Sequence, residues 1–190
     1  MLFRKFSTGN VEHYTGRSSY KIVERMMRSS KELMVISPFV DQHYAEFLRD
    51  ISANKKILLL SSSIDKAAAK ALRRKSRPFT FLLISLILVM LNFSEFYVHI
   101  ISIPMILATI FLIFVFAVFL LRGSSNVYLR HPKGFVHMKL YLSESEAIQS
   151  SANLTYSGMH SNVEHIEVFH DPETVRLFNK DFMKLWHDST

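Results

Sequence analysis

Hydrophobic positions along this chain follow three patterns: helical spacing, short apolar runs and one long unbroken block. Over Ser18–Ser29, Ile22, Val23, Met26 and Met27 recur at the spacing of one helix face. The run Glu32–Phe39 is apolar and ends at a proline, which predicts a buried strand, and Lys56–Ser61 predicts a second. Between them Tyr44–Ile51 is amphipathic at the helical period. Strand–helix–strand with both strands apolar argues for a largely parallel sheet covered by helices. Asp65 then opens a helix rich in Ala and Lys.

After residue 122 the pattern becomes strand-rich. Asn126–Arg130, Phe135–Leu142, Ala147–Ser150 and Val163–Phe169 predict strands, with a turn at His131-Pro-Lys-Gly134. Pro172–His187 predicts a closing helix, with proline near its start and Val175, Leu177, Phe178, Phe182 and Leu185 on its apolar side. The fold class is therefore α/β.

The block 79–121 separates these two segments, and only Glu95 and His99 in it readily carry charge. A bilayer core of roughly 30 Å needs about 20 helical residues, so the block has the length of two spans. A transmembrane hairpin is expected over 78–121, turning near Glu95–Ile103, with Pro104 in the first turn of the second helix. Glu95 and His99 are expected at the membrane interface. A buried soluble hairpin would need an apolar shell around it, and residues 1–77 and 122–190 read as a self-sufficient, discontinuous domain. Because the block is internal, it is not a cleaved signal segment.

Composition becomes informative once the block is set apart. The 190 residues are 49% hydrophobic and 21% charged, with a formal net charge of +7. Mean hydropathy is +0.16. The positive excess gathers before the block, in Lys66, Lys70, Arg73, Arg74, Lys75 and Arg77, while Arg122 follows it. By the positive-inside rule both termini and the polar domain face the cytoplasm. This basic run also suits anionic headgroups or nucleic-acid phosphates. Cysteine is absent, which excludes disulfides, thiol nucleophiles and cysteine-ligated metal.

The nine histidines do not form a metal-binding motif: His160, His165 and His170 recur every five residues, a spacing that aligns on neither a strand nor a helix. No metal or other cofactor is expected. A serine-hydrolase elbow is also missing. The informative pattern is His137-Met-Lys139, then Ser150-Ser-Ala-Asn153, then Asn162-Val-Glu164. On a strand, His137 and Lys139 would project to one side. Ser151 and Asn153 can bring polar groups to them, and Glu164 can pair with an imidazole. Nucleophile, fixed cation, hydrogen-bond donors and carboxylate together suit metal-free attack on a phosphodiester. Met138 and Tyr141 are expected in the core, and His131 and Lys133 on a solvated turn.

These residues resemble the signature of the phospholipase D superfamily, H-x-K-x4-D followed by G-S-x-N. His137 and Lys139 stand at the signature His and Lys. Glu144 stands at the aspartate position, and Ser150-Ser-Ala-Asn153 stands for G-S-x-N, continued by Leu154-Thr155. Two departures are Glu for Asp at 144, a position that is mostly architectural in the family, and Ser for Gly at 150. The spacer between the two motifs is also one residue short. Glu164 matches the family's downstream glutamate, which hydrogen-bonds the catalytic histidine.

The resemblance implies a mixed sheet flanked by helices, here interrupted by the hairpin. It also implies a two-histidine mechanism with a phosphohistidine intermediate. The chain has one H-x-K motif; His13 and His43 lack a lysine two residues on. The resemblance to single-motif members therefore implies a homodimer sharing one site. His137 would be nucleophile in one copy and general acid/base in the other. Lys139 would neutralise phosphoryl charge, and Asn153 and Ser151 would bind its oxygens. Three functions remain open: a membrane phosphodiesterase acting on phospholipid by hydrolysis or transfer, a membrane-tethered endonuclease, and a degenerate scaffold.

Overall fold

The structure is a computed structural model that describes residues 4–73, 110–111, 113–115 and 125–190. The chain divides into two compact units, Met1–Arg74 with Ser125–Thr190, and Lys75–Ser124. The expected membrane hairpin over 78–121 lies almost wholly outside the described residues. Among the described residues no helix is long and apolar enough to cross a membrane.

The first unit opens with an antiparallel hairpin, β1 (Arg4–Thr8) and β2 (Val11–Gly16). Helix α1 (Tyr20–Ser29) leads to β3 (Glu32–Ile36) and the short β4 (Phe39–Val40). Helix α2 (Gln42–Ile51) is capped by Asp41, whose Oδ1 accepts the Tyr44 N–H at 3.0 Å. Next come β5 (Lys56–Leu60), β6 (Ser63–Ile64) and α3 (Lys66–Arg73), where Asp65 accepts the Ala68 N–H at 2.5 Å. Beyond the second unit lie β7 (Val127–Arg130), β8 (Leu140–Leu142), β9 (Ala147–Ser150), a π-helical turn (Ser157–Ser161), β10 (Glu164–Phe169) and α4 (Pro172–His187).

Eight strands form one mixed sheet in the order β1-β2-β10-β9-β8-β3-β5-β7. The apolar strands β3, β5 and β7 run parallel, and the other neighbours pair antiparallel. Strands from before and after the Lys75–Ser124 unit thus share one hydrogen-bonded sheet. Helices α1, α2 and α3 pack Met26, Met27, Leu48 and Leu72 on one face, against Leu33, Val35, Ile57, Leu59, Tyr141 and Ile166. Helix α4 packs Val175, Phe182 and Trp186 on the other, against Leu58, Leu60, Leu140, Leu142 and Ala147. Each such side chain contributes about 1.5–3 kcal/mol when fully buried.

Three sequence expectations change. The expected largely parallel sheet is instead mixed, with only the β3–β5 and β5–β7 pairs parallel. The β1–β2 hairpin was not anticipated, because Val11-Glu-His-Tyr-Thr carries little apolar signal. The strand expected over Phe135–Leu142 shrinks to Leu140–Leu142. Upstream, the Val136 N–H goes to the Ser62 hydroxyl at 2.9 Å and takes no place in a ladder.

Candidate active site

Chain direction gathers the motif at one end of the sheet. β3 and β5 are parallel and end in Ser37-Pro38 and Ser61-Ser62. β8 runs antiparallel to β3, so the residues entering β8 arrive at that same end. Ser62 holds Val136, and Phe135 lies between Phe39 and His137, at ring-centroid distances of 6.0 and 6.1 Å. Ser37 Oγ accepts the Leu154 N–H at 2.9 Å, and the Asp41 N–H donates to Leu154 O at 3.3 Å. Two serines just past the apolar strands therefore tie down both motif loops. The sequence signal for them was polar residues closing buried strands.

Within this frame His137 is exposed and Lys139 is buried. Lys139 Nζ lies 3.1 Å from His137 Nε2 and donates to the His137 carbonyl at 3.0 Å. Burial pushes the Lys139 ammonium below the ordinary lysine value, and the Glu164 carboxylate partly offsets this. Glu164 is itself buried. Its carboxylate accepts from Ser151 Oγ and, at 3.1 Å, from Asn162 Nδ2.

Asn153 follows in a loop fixed from both sides. The buried Tyr141 hydroxyl donates to Ala152 O at 2.9 Å, and burial raises its pKa well above the ordinary tyrosine value. Gly158 in the π-helical turn backs against Asn153: a Cβ there would lie 2.6 Å from the Asn153 carbonyl oxygen. Asn153 Oδ1 is buried with no hydrogen-bond partner among the described residues. Such an orphan costs about 1–3 kcal/mol, recoverable by a bound donor.

The structure thus brings His137, Lys139, Ser151 and Glu164 together, with Asn153 on the adjoining loop. The imidazole partner expected for Glu164 is replaced, within the described chain, by Ser151 and Asn162. Glu144 does not join the site; it lies beyond the opposite end of β8. There its two carboxylate oxygens each accept the Lys31 N–H at 3.2 Å. Burial opposes its ionisation, but the N–H groups of Glu144, Lys31 and Glu32 hold its carboxyl below the ordinary glutamate value. Ser150 substitutes for glycine without strain, because Ser18 is the one described non-glycine residue with positive φ, at 73°. The Ser150 hydroxyl accepts the Ala152 N–H at 3.0 Å.

Tyr141 is in the core as expected, but Met138 is 37% exposed, beside His137 in the non-strand segment. His131 is exposed, with its ring Nδ1 2.8 Å from Ser61 O. A second cluster was missed at the sequence level. His160 is stacked between Tyr20 and Tyr156, at 4.1 and 4.5 Å between ring centroids. Its Nε2 lies 3.2 Å from the Tyr44 hydroxyl, which donates to Glu24 at 3.0 Å. Nothing in the local sequence joins these residues, which come from α1, α2 and the π-helical turn.

Residues 117–186 match the family model described as cardiolipin synthase, PLD-like domain. Among solved structures the chain is similar to Nuc, a phospholipase D family member from Salmonella typhimurium. Identity is 12% and the TM-score 0.58, over 95% of this chain and 97% of that one. It is also similar to NucT from Helicobacter pylori, at 9% identity and a TM-score of 0.56, over 100% of this chain and 99% of the other. Phosphatidylserine synthase from Haemophilus influenzae follows at 10% identity and a TM-score of 0.50, over 97% of this chain and 41% of that one. Curated protein sequences give no match. At these identities the likeness is one of fold, and the chain has the phospholipase D-like fold, a mixed sheet flanked by helices.

Proposed function

We propose that the chain is a membrane-anchored phosphodiesterase of phospholipase D type, acting on a phospholipid at a site shared by two copies. The observation that carries this reading is the buried Lys139 ammonium set against His137 Nε2 over the Glu164 carboxylate. His137 Nε2 attacks phosphorus, forming a P–N bond as the bond to the leaving oxygen breaks. Lys139, with the Asn153 amide, stabilises the charge on the non-bridging oxygens. The leaving oxygen takes a proton from a second imidazole. With one H-x-K motif per chain, that imidazole is His137 of a second copy, across a two-fold axis. The same imidazole then takes a proton from water or an alcohol as the new P–O bond forms and the P–N bond breaks. Glu164 balances Lys139 and fixes Ser151.

Membrane anchoring rests on the apolar block 79–121 and its basic flanks, with both termini cytoplasmic. Little chain separates Leu121 from His137, which favours a substrate at the headgroup level. A second reading, a membrane-tethered endonuclease, is favoured by Lys66, Lys70 and Arg73, which are all exposed along α3.

The test offers purified full-length protein, with and without His137→Ala, three substrates: phospholipid vesicles, single- and double-stranded nucleic acid, and a generic phosphodiester. Phospholipid cleavage is expected, with transfer to an added alcohol, and the variant is expected to lose about a thousandfold or more. Cleavage of nucleic acid alone selects the endonuclease. Turnover of none of them, with ligand binding unchanged in the variant, selects a scaffold. Fully active monomers in detergent would end the shared-site mechanism.

A further inference from the structure

Side-chain alternation along β10 sends its residues to opposite faces of the sheet. Glu164, Ile166 and Val168 are buried toward the α1–α3 face, whereas His165 and Glu167 point the other way. On the neighbouring β2, Glu167 pairs with His13 and His165 pairs with Thr15. Four polar side chains from two adjacent strands therefore share one patch, on the sheet face opposite Glu164.

Their geometry is specific. His13 Nδ1 lies 3.3 Å from Glu167 Oε1, and His165 Nε2 lies 3.5 Å from the same oxygen. The three donor atoms lie within 4.8 Å of one another. Nitrogen and oxygen ligands of tetrahedral zinc sit at about 2.0–2.2 Å, which places neighbouring ligands about 3.3–3.5 Å apart. The His165 ring is also held from behind, with Nδ1 2.9 Å from Thr15 Oγ1. When Thr15 accepts the Nδ1–H, Nε2 turns its lone pair toward a carboxylate oxygen. Two lone pairs at that distance need a cation between them, a proton or a metal ion. A ring nitrogen fixed by an outer oxygen is how metal-ligating histidines are usually oriented.

We propose that His13, His165 and Glu167 form a binding site for a divalent transition metal of the zinc class. Its fourth position is taken by water, and its role is to staple β2 to β10. The spacing of His160, His165 and His170 concealed it: the ligands come from strands far apart in sequence, and His160 and His170 lie outside the set. The proposal does not rest on the phosphodiesterase reading: the three ligand side chains lie on the sheet face opposite Glu164, and only the His165 backbone meets the other site, its N–H donating to Ser151 Oγ at 2.9 Å.

The test titrates chelator-treated full-length protein with Zn²⁺ by calorimetry, and with Co²⁺ by its visible absorption. One ion per chain is expected, with a tetrahedral Co²⁺ spectrum and a Tm that rises with Zn²⁺. His13→Ala and Glu167→Gln should each weaken binding at least tenfold. Thr15→Val, which keeps the strand and all three ligands, should weaken it about tenfold. His170→Ala should bind as the parent does. No binding, binding unaffected by all three cluster variants, or loss that follows His170 would each overturn the site.

Discussion

Under the proposed mechanism Lys139 sets the reaction's pH range. Its ammonium is buried, which depresses its pKa, and Glu164 only partly restores it. In that mechanism the charged form is the one that stabilises phosphoryl oxygens, so activity is expected to fall as pH rises through the folded pKa, below the ordinary lysine value. A pH profile of kcat/KM should therefore show an alkaline limb below about 10.5. Lys139→Arg, which stays charged, should abolish that limb whatever activity it retains. An unchanged limb in the arginine variant would assign it to another group. The residues the structure gathers there were legible: His137, Lys139, Ser151, Asn153 and Glu164 stand at fixed spacings in one stretch. Their supports were not, because Ser37, Ser62 and Asp41 act through one or two hydrogen bonds each across long sequence gaps. The Glu164 carboxylate was legible but its bonds to Ser151 and Asn162 were not, since spacing reveals proximity and not which hydroxyl turns inward.

At the scale of elements, the π-helical turn is held by more than its own backbone. Asp41 joins it to α2 by accepting the Tyr44 N–H on one oxygen and the Tyr156 N–H, at 2.6 Å, on the other. His160 then inserts between two tyrosine rings. Burial lowers its pKa, Glu24 opposes this, and His43 adds to the lowering. A histidine kept neutral in the fold stabilises above its unfolded pKa. As pH falls below about 6.5 the unfolded chain takes up a proton first. Stability contributed here is therefore lost between about 6.5 and the lower folded value. Tm measured against pH should fall less steeply over that window in His160→Phe, which keeps a ring in the stack. Equal slopes would remove His160 from the acid response. Elements with strong periodicity, β3, β5, β10 and α4, were legible to within a few residues. The β1–β2 hairpin was not, because its strands are held by the ladder and by polar pairs such as Lys5 with Glu12 at 2.9 Å. Segment 135–139 read as strand because its residue types alternate, yet its backbone bonds to a serine.

The molecule as a whole combines an ordinary α/β sheet with an apolar block inserted between its strands. If that block anchors the protein, the full chain should stay with membranes after an alkaline carbonate wash. A variant with residues 79–121 replaced by a Gly/Ser linker should move to the soluble fraction with its circular dichroism spectrum preserved. A full-length chain that washes off would remove the anchor. At this scale the sequence showed that two segments of polar chain flank the block. It did not show their interleaving, because strand order is decided by pairings that no local pattern records.

That interleaving has a consequence for how the protein is made. The order β1-β2-β10-β9-β8-β3-β5-β7 leaves a gap between β2 and β3 that only strands from after the apolar block fill. While the ribosome is still delivering the apolar block, the first hairpin and the β3–β5 pair exist as two pieces with open edges, and neither can close on the other. Until residues 125–169 have left the ribosome that gap stays open, so newly made chains depend on protection of those edges. The same arrangement makes a break within residues 75–124 a natural place to divide the protein, because three strand pairs, β2–β10, β3–β8 and β5–β7, join the two halves across it.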